Sequence, residues 1–276
     1  MDLFQAIVLG IVQGLTEFLP ISSSGHLRIV PAFAGWDDPG AAFTAVIQLG
    51  TMAAVVLYFR HDLLRIARAW LRSLSARSAD IADDLDARLG WYLILATIPI
   101  SILGLAFKHQ IEHGARSLYL IGTTLIVLGL VLRYAEQVAR RERDIETITR
   151  RDAIVVGCAQ ALALIPGVSR SGATITAGLF LGFDRVSAAR FSFLLSIPAV
   201  VLSGLFELKG VVDGSAKGAV GAGPTAVATV LAFVVGYASI AFLLRFLTTH
   251  TTGVFVAYRL CLGALVLVLA GTHAIS

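Results

Sequence analysis

Residues 6 to 37, AIVLGIVQGLTEFLPISSSGHLRIVPAFAGWD, return at residues 153 to 184 as AIVVGCAQALALIPGVSRSGATITAGLFLGFD. The offset is a constant 147 with no gap, and twelve of the thirty-two positions are identical. The matches include Gly10/Gly157, Gln13/Gln160, Ser22/Ser169, Ser24/Ser171, Gly25/Gly172 and Asp37/Asp184, which apolar composition alone would not align. Each copy reads as an apolar helix that breaks at a Ser/Gly turn and then resumes. The polar residues at the two breaks differ: Glu17, Ser23 and His26 in the first, Arg170 and Thr174 in the second. A duplicated broken helix in an apolar chain points to a binding site where the two copies meet.

The rest of the chain is apolar enough to make the host a membrane protein. Hydrophobic residues make up 57% and charged residues 14%, with a mean hydropathy of +0.83. Runs at 41 to 59, 90 to 107, 117 to 134, 187 to 206, 225 to 247 and 254 to 272 approach the ~20 residues that cross a bilayer. The stretches from Pro20 to Trp36 and from Pro166 to Phe183 hold too few apolar residues for spans of their own. Residues 3 to 36 and 153 to 183 therefore read as re-entrant hairpins, the alternative being that each first arm is an ordinary span. Non-helical tips at membrane depth require burial in protein or a wet cavity. Gln13 and Glu17 interrupt the first segment, and no basic stretch precedes it, so a cleaved signal peptide is not expected. Cys158 and Cys261 lie in apolar segments and read as packing residues.

Charge placement sets the expected orientation. Loop 60 to 89 carries Arg60, Arg65, Arg68, Arg72, Arg77 and Arg88; loop 133 to 152 carries Arg133, Arg140, Arg141, Arg143, Arg150 and Arg151. Two spans separate these loops, so they share a face, and the positive-inside rule makes that face cytoplasmic. Loops 108 to 116 and 207 to 224 then lie outside. The first hairpin enters from the outer side and the second from the inner side. The expectation is an all-α integral membrane protein of one polytopic domain, residues 1 to 276. Its first repeat, 1 to 147, and its second, 148 to 276, have inverted topology, each with one hairpin and three spans. The net charge of +4 is a matter of these loops rather than of a nucleic-acid surface. Residues 60 to 89 read either as an interfacial helix with Leu64, Ala67, Leu71 and Leu74 or as a solvated loop.

The hairpin residues carry the chemistry. Gln13 and Glu17, four apart, share a helix face, and Ser22, Ser23, Ser24, Gly25 and His26 follow. Intramembrane ionisable residues are functional candidates. In the second copy, Pro166-Gly167-Val168-Ser169-Arg170-Ser171-Gly172-Ala173-Thr174 reads as an oxyanion cradle: a helix N-terminus, hydroxyls of Ser169, Ser171 and Thr174, and a guanidinium suited to phosphate. A structural Glu17–His26 or Glu17–Arg170 pair is the alternative to a chemical role. Together the parts suit hydrolysis of a phosphoryl group on a membrane-embedded substrate, with a lipid transporter as the other class open to the same residues. Arg28, Arg185 and Arg190 are candidates to snorkel or meet lipid phosphates, Asp37 and Asp184 to cap the next element, and Pro99 and Pro198 to kink spans. His61, His109, His113, His250 and His273 show no metal-ligand spacing.

At these residues the chain resembles the undecaprenyl-diphosphatase family, the bacitracin-resistance proteins, over nearly its whole length. Its (Glu/Gln)xxxGlu signature stands here as Gln13-Gly14-Leu15-Thr16-Glu17, its PGxSRSxxT signature as Pro166 to Thr174, and its Ser-Ser-x-Gly-His segment as Ser22 to His26. The resemblance implies removal of the terminal phosphate of undecaprenyl diphosphate, which recycles the lipid carrier of peptidoglycan synthesis and confers bacitracin resistance. It implies a divalent cation, Mg2+ or Ca2+, a homodimer, and a site open to the outer face of the bacterial cytoplasmic membrane. Gln13 in place of Glu leaves Glu17 as the sole carboxylate of its motif, with the Gln13 amide oxygen as the second candidate metal ligand. The expected roles are phosphate binding by Ser22, Ser169, Arg170, Ser171, Gly172 and Thr174, with Glu17, Ser23, His26 and Arg170 catalytic. Ser23 is the expected nucleophile with His26 managing the protons, and His26 is the alternative nucleophile.

Overall fold

A computed structural model describes residues 1–75, 84–107, 117–212 and 221–275, with backbone alone for residue 41 and residues 202–212. Its described residues form eleven α-helices and no strand: α1 Leu3–Phe18, α2 Ser23–Ala34, α3 Gly40–Tyr58, α4 Arg60–Ser73, α5 Leu85–Ala106, α6 Leu118–Val138, α7 Arg150–Ala161, α8 Arg170–Phe180, α9 Arg185–Val212, α10 Ala222–Phe246 and α11 Gly253–Gly271. All six expected spans are helical. Four of them, α5, α6, α10 and α11, are long and apolar enough to cross a membrane, and the bent pair α3–α4 adds a fifth candidate. Their outward faces carry Ile98, Ile102, Leu105, Val230, Val234, Leu265 and Val268, the residues a lipid-facing belt requires. This is a multi-pass membrane protein.

Each hairpin breaks for the same local reason. A residue before proline is pushed out of the α region. Leu19, before Pro20, takes φ −68°, ψ 143°, and Ile165, before Pro166, takes φ −87°, ψ 120°. Capping boxes start both first arms, Asp2 with Gln5 on α1 and Thr149 with Asp152 on α7, satisfying N–H groups that a helix start leaves free. The mouths of the hairpins close on themselves. Phe4 at the start of α1 packs edge-on against Trp36 past the end of α2, centroids 6.1 Å apart. Arg143 donates to Asp152 at the start of α7 (2.6 Å) and to the Leu181 carbonyl past the end of α8 (2.9 Å). The two ends of each pair of arms thus lie together.

The two hairpins pack in a crossed fashion. α1, from the first half, lies against α10 of the second, while α7, from the second half, lies against α5 of the first. Close approach depends on the duplicated glycine: a Cβ on Gly10 would stand 2.5 Å from the Ala228 carbonyl oxygen, and one on Gly157 would stand 2.5 Å from that of Ala96. Small residues at such crossings let helix backbones touch where apolar burial gives no preference between protein and lipid.

The arginine-bearing segments gather at one end. Arg65 bonds Asp62 (3.0 Å) and Asp86 (2.6 Å), Arg190 reaches Asp62 (3.5 Å), and Arg88 donates to the Glu146 carbonyl (3.4 Å). Buried Glu136 accepts from Arg141, Arg185 and Thr252. Arg185 is therefore held within the protein rather than offered to lipid, Arg190 stays partly exposed, and Arg28 sits 3.7 Å from Asp38. Residues 60 to 73 form a helix bent 76° from α3, with Leu64 and Leu71 exposed. Asp184 caps α9 through Ser187 N (2.9 Å), but Asp37 caps nothing: Pro39 is the N-cap of α3 and has no side-chain bond. Cys158 and Cys261 are exposed on the outer surface, a correction to their reading as packing residues. Arg77, His109, His113, loop 108 to 116 and residues 213 to 220 lie outside the described residues.

Replacing Gly157 with Val should lower the melting temperature in detergent, because overpacking at such a contact costs about 1–3 kcal/mol. Val155→Ala, on the exposed face of the same helix, should leave it nearly unchanged. Equal melting curves for Gly157→Val and the parent would contradict the tight α7–α5 crossing.

Candidate functional site

The two breaks adopt the same geometry. Ser22 (φ 77°, ψ 97°) and Ser169 (φ 70°, ψ 114°) both hold positive φ, a costly conformation for a residue with a Cβ. Each Oγ accepts the backbone N–H three residues on, Gly25 N at 3.3 Å and Gly172 N at 3.1 Å, and so caps the resumed helix. Each also lies beside the hydroxyl two residues further, Ser24 at 3.3 Å and Ser171 at 3.2 Å. Oriented N–H groups and hydroxyls at a helix start suit an anion.

The differing residues meet between the breaks. Arg170 Nη2 donates to Glu17 Oε1 at 2.7 Å, and Arg170 Nη1 to the Ser196 carbonyl at 3.2 Å. Glu17 Oε2 accepts from Ser23 Oγ at 2.6 Å and from Gln13 Nε2 at 3.2 Å. Glu17 is 9% exposed, so the pair is screened from water and is expensive to split. Ser171 Oγ donates across the hairpins to the Leu19 carbonyl (3.0 Å), while Thr174 bonds the Arg170 carbonyl (2.8 Å) and Ser192 (2.6 Å). The geometry brings Gln13, Glu17, Ser23 and Arg170 into one network, with Thr174 bonded to the Arg170 carbonyl; Ser169 and Ser171 form a separate pair that reaches the Leu19 carbonyl.

His26 stands apart from Glu17 and Ser23. Its Nδ1 lies 2.7 Å from the Ser22 carbonyl oxygen and its Nε2 lies 2.6 Å from Tyr258 Oη. The Glu17–His26 alternative is thus not realised, whereas the Glu17–Arg170 pair is. Sequence reading passed over two residues of α11. Tyr258 is one; Arg259, wholly buried, is the other. The Arg259 guanidinium donates to the Pro20 carbonyl (3.2 Å) of one break and to those of Gly167 (3.3 Å) and Val168 (3.1 Å) of the other, as well as to Leu125 (3.2 Å) and Thr124 (3.3 Å) on α6. Its signal was present: an arginine in the middle of an apolar span.

Among the described residues no three His, Cys, Asp or Glu form a metal cage. The oxygen pair that suits a hard cation is Glu17 with Gln13 Oε1, a buried acceptor with no hydrogen-bond partner. Its counterpart Gln160, also buried, has no partner for either amide atom, since Leu164 stands where Glu17 stands in the first copy.

Fold and site together define an α-helical membrane protein with a polar, anion-suited centre where two broken helices meet. The sequence model of the bacitracin resistance protein BacA family matches residues 6–265. Relatives named undecaprenyl-diphosphatase include one from Nocardioides sp., 58% identical over all of this chain and 99% of its own length. Those of Chlorobaculum parvum (54%, covering 99% of this chain and 98% of the relative) and Mycobacterium ulcerans (52%, covering 100% and 99%) are further examples. The chain belongs to the bacitracin resistance protein family.

Removing one partner of the buried pair should be costly and removing both much less so. Glu17→Gln and Arg170→Met should each lower the melting temperature in detergent, and the double variant should recover most of the loss. Additive losses would show that the two residues do not depend on each other.

Proposed function

We propose that this protein hydrolyses undecaprenyl diphosphate to undecaprenyl phosphate and inorganic phosphate, recycling the lipid carrier of peptidoglycan synthesis and conferring bacitracin resistance. Family membership and the names of its relatives supply the substrate. The observation that carries the chemistry is the 2.6 Å hydrogen bond from Ser23 Oγ to Glu17 Oε2 beside Arg170. A hydroxyl already donating to a carboxylate is a nucleophile with its base in place.

In this mechanism the terminal phosphate enters between the breaks and draws on the Arg170 guanidinium, the hydroxyls of Ser22, Ser169 and Ser171, and the Gly172 N–H, with Thr174 bracing the Arg170 turn. Ser23 Oγ attacks the terminal phosphorus, its proton passes to Glu17, and the bond to the bridging oxygen breaks, releasing undecaprenyl phosphate. Water then cleaves the phosphoserine, and Ser23 regains its proton from Glu17. Attack by His26 is disfavoured because both of its ring nitrogens are engaged. Gln13 and Glu17 would hold Mg2+ or Ca2+, which would offset the charge of the diphosphate, with substrate oxygens completing the shell.

The same reading includes the six-span, inverted two-repeat arrangement, residues 1 to 147 and 148 to 276. It is supported by the matched Ser22/Ser169 caps, the crossed Gly10 and Gly157 contacts and the arginine-rich end. The arginine-rich end then faces the cytoplasm of a bacterial inner membrane and the substrate arrives from the outer side. A homodimer completes the family picture; no interface is assigned.

Two experiments follow. Substrate chased into acid should leave phosphate on Ser23, stable to acid, in a wild-type sample and none in Ser23→Ala, whose kcat should fall at least about a hundredfold. Acid-labile phosphate on a histidine would overturn the assignment. In a cysteine-free background, cysteines at Asp2 and Thr272 should both react with an impermeant maleimide added outside intact cells; labelling of only one would exclude the inverted arrangement.

A further inference from the structure

We propose that α4 is an interfacial helix that binds anionic phospholipid: one edge lies among acyl chains and the other meets headgroup phosphates of the leaflet at the arginine-rich end. The inference needs only a membrane-crossing protein and is independent of the diphosphatase reading. The chain turns 76° between α3 and α4, so α4 runs close to the plane of the bilayer that α3 would cross. It is pinned there by α5. Ile66, Ala69 and Ser73 are buried, Trp91 Nε1 donates to Ser73 Oγ at 3.0 Å, and Gly90 admits Trp70, whose Cβ would stand 2.7 Å from a Cβ at that glycine. At about 100° per residue, the face left outside divides in two. Leu64, Ala67, Leu71 and Leu74 form an apolar edge; Arg65, Arg68 and Arg72 form a basic one. Arg60, at the first turn, folds back onto the Leu57 carbonyl (3.1 Å).

The contacts with α5 show which edge lies deeper. The basic edge is held at the head of α5, where Arg65 Nε donates to Asp86 at 2.6 Å and Arg72 lies 3.7 Å from the N-cap residue Asp84. Trp70, between the buried face and the apolar edge, packs edge-on against Trp91 at 5.8 Å. Trp91 lies five residues past Asp86, about 7 Å further along a helix axis. Because α5 runs from this end into the membrane, the apolar edge is the deeper one. Trp91 remains partly exposed, and an indole at that level suits the headgroup boundary. Leu64, Leu71 and Leu74, each more than half exposed, are then covered by acyl chains. Charge selects the lipid. The carboxylates that neutralise part of the basic edge are less exposed than the guanidiniums they meet: 17% for Asp86 against 59% for Arg65, and 37% for Asp84 against 76% for Arg72. The edge thus presents guanidinium outward, beside apolar side chains, which favours a headgroup of net negative charge over a zwitterionic one.

The test uses the full chain in phospholipid vesicles. In a cysteine-free background, nitroxides attached at Leu64→Cys and Leu71→Cys should be relaxed more by oxygen than by a water-soluble nickel chelate, and one at Arg68→Cys more by the chelate. Relaxation dominated by the chelate at every position would leave α4 in water. Shielding of Leu64→Cys and Leu71→Cys from both agents would put a second copy of the chain over the apolar edge. Either result overturns the proposal. Trp36→Phe leaves Trp70 and Trp91 as the only tryptophans, both at the α4–α5 contact. Brominated phosphatidylglycerol should quench them with an affinity at least about threefold above that of brominated phosphatidylcholine, and Arg68→Gln/Arg72→Gln should bring the ratio to about one. Equal affinities with the arginines present, or a preference that persists without them, would remove the anionic site. If the double variant fails to fold, high salt takes its place: it screens headgroup attraction, so the preference should shrink, and an unchanged ratio would contradict the proposal.

Discussion

The ion pair between Glu17 and Arg170 is the interaction on which the rest of the site depends. It joins side chains 153 positions apart across two hairpins, at 2.7 Å and largely out of water. Neither charge is tolerable alone at that depth, so each hairpin requires the other to be in place. The pair also leaves the second carboxylate oxygen free for Ser23 and Gln13. One contact therefore locks the fold and orients the reactive hydroxyl.

Around that pair the backbone is arranged at a cost. Both Ser22 and Ser169 sit at positive φ, which aims Gly25 N and Gly172 N at hydroxyls and opens the breaks toward each other. The carbonyls freed at Pro20, Gly167 and Val168 would be unsatisfied in a dry interior. Arg259 takes all three, so a buried cation substitutes for the helical hydrogen bonds that the breaks give up. A site with Arg170 and Arg259 against Glu17 carries positive charge that suits an anionic substrate.

Much of this was legible in the sequence because it is written in strong local terms. The constant offset exposed both hairpins, and Pro20, Pro166 and the capping residues set where helices stop and start. Hydropathy gave six of the seven remaining helices, the exception being α4. What local signals left out are contacts made at long range. Tyr258 and Arg259 sit within an unbroken apolar run, so their partners on the hairpins emerge only in three dimensions. The Arg185 and Arg190 pairings depend on Glu136 and Asp62, which lie on helices distant in sequence. Asp37 failed as a cap because Pro39, one residue past Asp38, took the N-cap position of α3. The pairing of Gln13 with Glu17 was readable from their spacing, but the buried, unpartnered Gln13 Oε1 was not.

The most direct test compares phosphate release from undecaprenyl diphosphate by the purified protein and by a folded Glu17→Gln/Arg170→Met protein, with and without a chelator. The account predicts one phosphate per lipid from the parent, suppressed by the chelator, and at least a thousandfold less from the double variant. Equal release by both proteins, or none from a folded, metal-loaded parent, would contradict it.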